Sequence, residues 1–217
     1  MSLHIPERSS TVVIVGKWNP YILVPPWLGE HVFELDTLRV ELRWSGSEQT
    51  PRIAGGDAEI VPSSTHVMVT ALKTTHGSLR RIEALAQRLM DKLPHTPVLA
   101  VGVNHAFVED SAPEGVLSLF RFADDELLGS LYPVVRHEVT RRLRVGASEL
   151  NFQCSKDVGS EEVRFDFNFH YALTEGVTAR SILRDGIVVE HFEQSISLLK
   201  KHGLALAPQE EEAKTDA

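Results

Sequence analysis

Cysteine is nearly absent from this chain of 217 residues, where Cys154 stands alone. A single thiol closes no intramolecular disulfide, which fits a reducing compartment. Long apolar runs are also missing. No stretch approaches the roughly 20 apolar residues that a membrane helix needs. Met1–Ser10, with Pro6, Glu7 and Arg8, lacks the apolar run of a signal peptide. A cytoplasmic protein without membrane contact is expected. Basic excess is lacking too. The formal charge of -8 disfavours non-specific nucleic-acid binding, although a local basic face stays open.

Catalytic and cofactor signatures are equally scarce. The 10 histidines form no His-Glu-x-x-His spacing. Gly102 sits between Val101 and Val103 without the further glycines of a nucleotide loop. Gly55-Gly56-Asp57 lacks the helix and lysine of a phosphate loop, and no Gly-x-Ser-x-Gly elbow occurs. No metal and no cofactor are therefore expected. His105 with Glu109 or Asp110, placed near a sheet edge, is the acid–base pairing that a hydrolase-like enzyme would use. His105 and Glu109 are the catalytic candidates of that alternative.

What the chain does contain is alternation. Val163, Phe165, Phe167, Phe169 and Tyr171 fall on one side of a stretch whose other side carries Arg164, Asp166, Asn168 and His170. That period of two predicts a strand with one buried and one polar face. Leu38, Val40, Leu42 and Trp44 alternate in the same way with Arg39, Glu41 and Arg43, up to a turn at Ser45-Gly46-Ser47. Strands are further expected over Thr11–Val15, Thr65–Lys73, Val98–Val108, Gly115–Phe122, Val134–Val145 and Glu149–Ser155. Gly55-Gly56-Asp57 reads as a hairpin turn, and Gly102 as a bulge or a close-approach point. Cys154 shares the parity of Leu150 and Phe152 and is expected to be a buried thiol.

Two helices stand out. Leu79, Ile82, Leu85, Ala86, Leu89 and Leu93 form an apolar stripe, with Thr75 or Ser78 placed to cap its start. Val189, Phe192, Ile196 and Leu199 form the second stripe, over about Ile187–His202, with Gly203 at its end. Short helices are expected at Pro26–Phe33, where prolines suit a first turn, and at Asp124–Gly129. The fold class is therefore α+β: an antiparallel sheet with two long amphipathic helices packed on one face. The preferred arrangement is a duplicated βββα-type unit, fused into one domain over residues 1–207, with halves at about 11–110 and 111–207. Two separate domains divided near Asp110–Gly115 would need a linker that the sequence does not show. Residues 208–217 read as a disordered acidic tail.

The polar face collects Arg39, Glu41, Arg43, Arg142, Arg144, Glu149, Asn151, Gln153, Arg164, Asp166, Asn168 and His170. Solvated cross-strand pairing explains such a set at roughly 0.2–1 kcal/mol per pair. The same set can serve as a recognition surface. Nucleic acid is disfavoured there, because the phenylalanines of the last strand face inward and offer no stacking platform. The segment Asn19-Pro20-Tyr21-Ile22-Leu23-Val24-Pro25-Pro26-Trp27-Leu28 is the most unusual local sequence. Trp27 is expected to anchor it to the core; if Trp27 were exposed, the loop would be a binding epitope.

That segment, with the strand before it, resembles a sporadically distributed group of uncharacterised bacterial and phage-associated proteins that carry an Asn-Pro-x-Ile-x-x-Pro-x-Trp-Leu-like motif. The resemblance covers about the first forty residues and implies no catalytic residues. The expected function is a binding module for another protein, through Arg39, Arg43, Arg142, Arg144, Arg164, Asp166, His170 or Trp27. Self-association through an open edge strand is also expected.

Overall fold

One apolar row crosses the whole sheet, and it explains the architecture. Val40, Ile53, Ile60, Val69, Val12, Val103, Phe169, Leu150 and Leu143 stand opposite one another on successive strands. The members between the two ends are buried, while Val40 and Leu143 at the ends are 43% and 39% exposed. Directly opposed residues share a face, so this row can be covered only by a layer on one side of the sheet.

The structure, a computed structural model, describes residues 3–45, 48–174 and 178–206. The expected turn at Gly46-Ser47 and the acidic tail lie outside the described residues. The strands are β1 (Leu3–His4), β2 (Ser10–Gly16), β3 (Arg39–Ser45), β4 (Glu48–Gly55), β5 (Ala58–Pro62), β6 (His66–Ala71), β7 (Val98–Glu109), β8 (Arg136–Val145), β9 (Ser148–Asp157) and β10 (Val163–Ala172). Their order is β3-β4-β5-β6-β2-β7-β10-β9-β8, with β1 extending the line of β2 along β7. Every named pair is antiparallel.

The two halves repeat an order of elements. In the first, β2 leads through α1 (Pro25–Leu28, continued as a π-turn over Gly29–Phe33) into the meander β3–β6. That meander returns to lay β6 against β2, and α2 (His76–Lys92) follows. In the second, β7 leads through α3 (Glu114–Leu117), a 3-10 turn (Ser118–Phe120) and α4 (Asp125–Leu131) into β8–β10. That meander lays β10 against β7, and α5 (Ala179–Ile182) and α6 (Ile187–Lys201) follow. The opening strand of each half thus lies at the centre, which the βββα reading did not capture. The meander covers one edge of that strand and the other half covers its second edge.

The long helices form the expected layer. Helix α2 lies on β5, β6 and β2, and α6 on β7, with α2 and α6 touching each other. Beneath α6 the phenylalanines interlock. Phe107 meets Phe167 edge-on at 5.7 Å and stacks on Phe192 at 5.8 Å, and Phe152 lies 4.8 Å from Phe167. Each such aromatic pair adds about 0.5–1.5 kcal/mol beyond burial. Thr75 caps α2 by accepting the Ser78 N–H. Gly203, at φ +79, follows α6 in the left-handed region.

Two sequence expectations change. Gly115–Phe122 is helical, not a strand. Val116 and Phe120 are its buried residues, and their spacing of four fits a helical face as well as an alternating strand. Gly102 is not a bulge, since its pairing with both neighbours is regular; the register shifts instead between Val15 and Gly16. Gly102 is a close-approach point, where a Cβ would come within 3.3 Å of Asn168 Nδ2. No helix among the described residues is long and apolar enough to cross a membrane.

Candidate binding surface on the polar sheet face

The opposite face carries a matching row. Arg39, Ala54, Glu59, Thr70, Thr11, Asn104, Asn168, Asn151 and Arg142 stand on successive strands. Its centre is a ladder of side-chain amides. Asn104 Nδ2 donates to Thr11 Oγ1 at 3.0 Å, Asn168 donates to Asn104 Oδ1, and Asn151 Nδ2 donates to Asn168 Oδ1 at 3.1 Å. Asparagine is a poor strand former, because its side chain competes for backbone partners. Here three of them support one another, and all the donors run toward β2. Such chains polarise cooperatively. Each amide keeps a second N–H, and each carbonyl oxygen a second lone pair, for a ligand.

The ladder floors a groove of about 330 Å³, with Arg8, Gln153, Arg164 and Asp166 among its lining. Arg164 is held against Asp166 at 2.8 Å, and the hydrogen bond to that carboxylate pushes the guanidinium pKa further up. Arg8, at φ +58, reaches Glu59 at 3.4 Å, and Arg52 holds the same carboxylate at 2.6 Å. Glu59 is 1% exposed, so this double pairing is what makes its burial tolerable. Arg8, Thr11 and Glu59 were missed in the sequence. Asn104 offered a signal, as a polar residue of poor strand propensity in the middle of an apolar strand.

The other expected site residues disperse. Arg39 and Arg43 share the face but sit on β3, six strands from β10, or about 29 Å at ~4.8 Å per strand. Arg39 pairs with Glu41. Arg142 meets Glu149 at 3.5 Å, whereas Arg144, opposite Glu149, is exposed. His170 stands opposite both Gly102 and Glu149 on the polar face. Trp27 is half-buried against the core and meets His31 edge-on at 5.1 Å, while Tyr21 in the same loop is 89% exposed.

His105 is not near a sheet edge. It lies on the central strand β7, on the helix side, 1% exposed beneath Phe192 at 5.4 Å. Its Nδ1 is 3.0 Å from Ser10 Oγ. Burial, helped by nearby His191, drops its pKa to about 3, so the ring is neutral. Glu109 is also buried, four residues further along the same strand. Cys154 lies in the inward set, and burial pushes its thiol up to about 12. Among the described residues no cluster of three His, Cys, Asp or Glu is placed to hold a metal ion.

A second polar network sits under α6. His191 stacks on Phe169 at 3.9 Å and lies 2.7 Å from the Tyr171 hydroxyl through Nε2 and 2.9 Å from Gln194 Oε1 through Nδ1. Gln194 Nε2 donates to the acceptor-only Glu190 at 3.2 Å. Gln194 Oε1 must therefore accept, so His191 carries its proton on Nδ1 and Tyr171 donates to Nε2. Burial lowers the His191 pKa and raises that of Tyr171, which favours the same neutral state. Both ring nitrogens are engaged, so the network clamps α6 to β10 and presents no vacant base. Compared with known proteins, the chain matches no family model and no curated protein.

Proposed function

We propose that this chain is a protein-binding module, and that the amide-floored groove on the polar sheet face holds an extended polar segment of a partner polypeptide. The carrying observation is the ladder from Thr11 through Asn104 and Asn168 to Asn151. Side-chain amides present a donor and an acceptor side by side, the complement of a peptide group. The rim offers an Arg164–Asp166 pair and Arg8, so both signs of charge can be met. The net charge of -8 and the inward-facing phenylalanines weigh against nucleic acid. The hydrolase-like alternative would need His105 to reach solvent, and its burial beneath Phe192 weighs against that. A cytoplasmic setting rests on the lone thiol.

The test is NMR titration against a set of unstructured polar peptides, read at the side-chain amide protons of Asn104, Asn151 and Asn168. Saturable shifts centred on those signals, lost in Asn168→Leu with the fold intact, are expected. The reading fails if shifts fall elsewhere, if Asn168→Leu binds as well as wild type, or if oligosaccharides move the same signals and peptides do not.

A further inference from the structure

Among the described residues the sheet ends in a strand with no neighbour on its outer side, and its residues specify what covers it. Strand β8 is the last in the order, and its stretch Thr140–Arg144 is exposed throughout. Among the described residues no backbone hydrogen bond reaches its outer side from another element. Alternate N–H and C=O groups along it therefore face solvent, a template for a further strand. Beside its start lies α4, which buries no residue and leaves Leu127 and Leu131 each 63% exposed. Phe122 stacks on His137 at 5.3 Å, and Asp125 lies 4.0 Å from the same ring, so α4 sits on the helix side of the sheet.

We propose that two copies of this chain join by antiparallel pairing of β8 with β8 about a two-fold axis at Arg141. The proposal does not depend on the amide groove, although the two surfaces adjoin at Thr140, which lines that groove. Register follows from charge and shape. With the axis at Arg141, Glu138 faces Arg144 of the other copy, and by symmetry this pair occurs twice. On the helix face Val139 faces Leu143, again twice. An axis at Thr140 would set Arg136 against Arg144 and Val139 against Arg141. An axis at Arg142 would set that residue against itself and Arg141 against Leu143. An axis at Val139 would set Arg136 against Arg142. Only the Arg141 axis gives both complementary sets, and its one like-charged contact, Arg141 with its own copy, lies on an exposed side chain.

The same register places His137 opposite Val145 of the second copy. The apolar residues of α4 are thereby brought beside the other copy's Leu143 and Val145, which the helix layer of each copy leaves partly exposed. One arrangement thus satisfies the open backbone edge, the half-exposed end of the apolar row and the uncovered helix. A C2 contact of this kind is closed, so it stops at a dimer.

The test is light scattering coupled to size exclusion, with sedimentation to obtain the dissociation constant. Wild type is expected at twice the chain mass of 24.2 kDa. Glu138→Arg and Arg144→Glu should each weaken the dimer by roughly tenfold or more, because each sets like charges opposite one another at two places. The double variant Glu138→Arg/Arg144→Glu restores both pairs with reversed sign and should recover the dimer. Leu42→Glu, on the opposite edge strand β3, should leave it intact. Circular dichroism confirms that each variant is folded. A monomeric wild type, single reversals without effect, no recovery in the double variant, or a dimer broken by Leu42→Glu would each overturn the proposal.

Discussion

Glu83, in the middle of α2, caps a helix that starts a hundred residues later: its Oε2 accepts the Val188 N–H at 2.9 Å, and its Oε1 accepts that of Gly186 at 2.6 Å. Val188 lies in the first turn of α6, where backbone N–H groups have no partner within the helix and the dipole favours negative charge. The carboxylate is buried. It therefore ties the two halves of the helix layer together at one point. Glu83→Ala should cost about 2–3 kcal/mol in denaturant unfolding, because two charge-assisted bonds vanish and the buried Val188 N–H and the half-buried Gly186 N–H lose their acceptor. Glu83→Gln keeps one acceptor and should cost about half as much. Equal stability of all three proteins would contradict the capping role.

Stability should fall in acid through histidine. His105 has a folded pKa of about 3 against an ordinary value of 6.5, and that of His191 is lowered in the same direction. Between those values the unfolded chain binds protons that the folded chain refuses. The contribution is fully present above pH 6.5 and is lost as pH falls toward 3, at up to ~1.4 kcal/mol per unit for His105. His105→Gln should flatten that slope between pH 6 and 4. A slope unchanged by the substitution would place the acid sensitivity elsewhere.

Cys154 should be inert. Its pKa of about 12 follows from burial, so the thiolate that reacts with alkylating or disulfide reagents is scarce at neutral pH. The sign at high pH follows. The unfolded thiol ionises near its ordinary 9.0 and the folded one does not, so stability is complete below pH 9 and declines above it. Thiol titration with and without denaturant checks the first part. Rapid labelling of the native protein at pH 7 would count against it.

Tyr171→Phe should be costly for a change of one oxygen. It removes the donor that satisfies His191 Nε2 at 2.7 Å and leaves that nitrogen buried without it. A loss of about 1–3 kcal/mol is expected. The imidazole pKa, followed by NMR, should change with it, which a simple packing defect would not produce.

Gly102→Ala should disturb the groove more than the core. Its Cβ would lie 3.3 Å from Asn168 Nδ2, tight enough to displace that amide from the ladder. Stability should drop by roughly 1 kcal/mol or less. The Asn168 side-chain signals should shift, while those of the phenylalanine cluster stay in place.

Much of the fold is written locally. Alternation along Val163–Tyr171 gave the face of β10 correctly, and the stripes from Leu79 and from Val189 marked both long helices, because periods of 2 and 3.6 show in a short window. Ambiguity arose where a segment was too short to separate them, as at Gly115–Phe122. The site was less legible. Asn151 and Asn168 belonged to the expected polar face, but nothing local links them to Asn104 and Thr11, which lie on other strands.

Alone, the amino-acid sequence determined the types of the long elements, the parity of the strands and the acidic, nearly cysteine-free character of the chain. These depend on spacing between neighbours and on side-chain chemistry. Strand order, the central position of β2 and β7, the burial of His105 and the place of β8 at the end of the sheet were decided by tertiary structure. Each depends on which distant segments pair, and hydrogen bonding between backbones carries no residue code of its own.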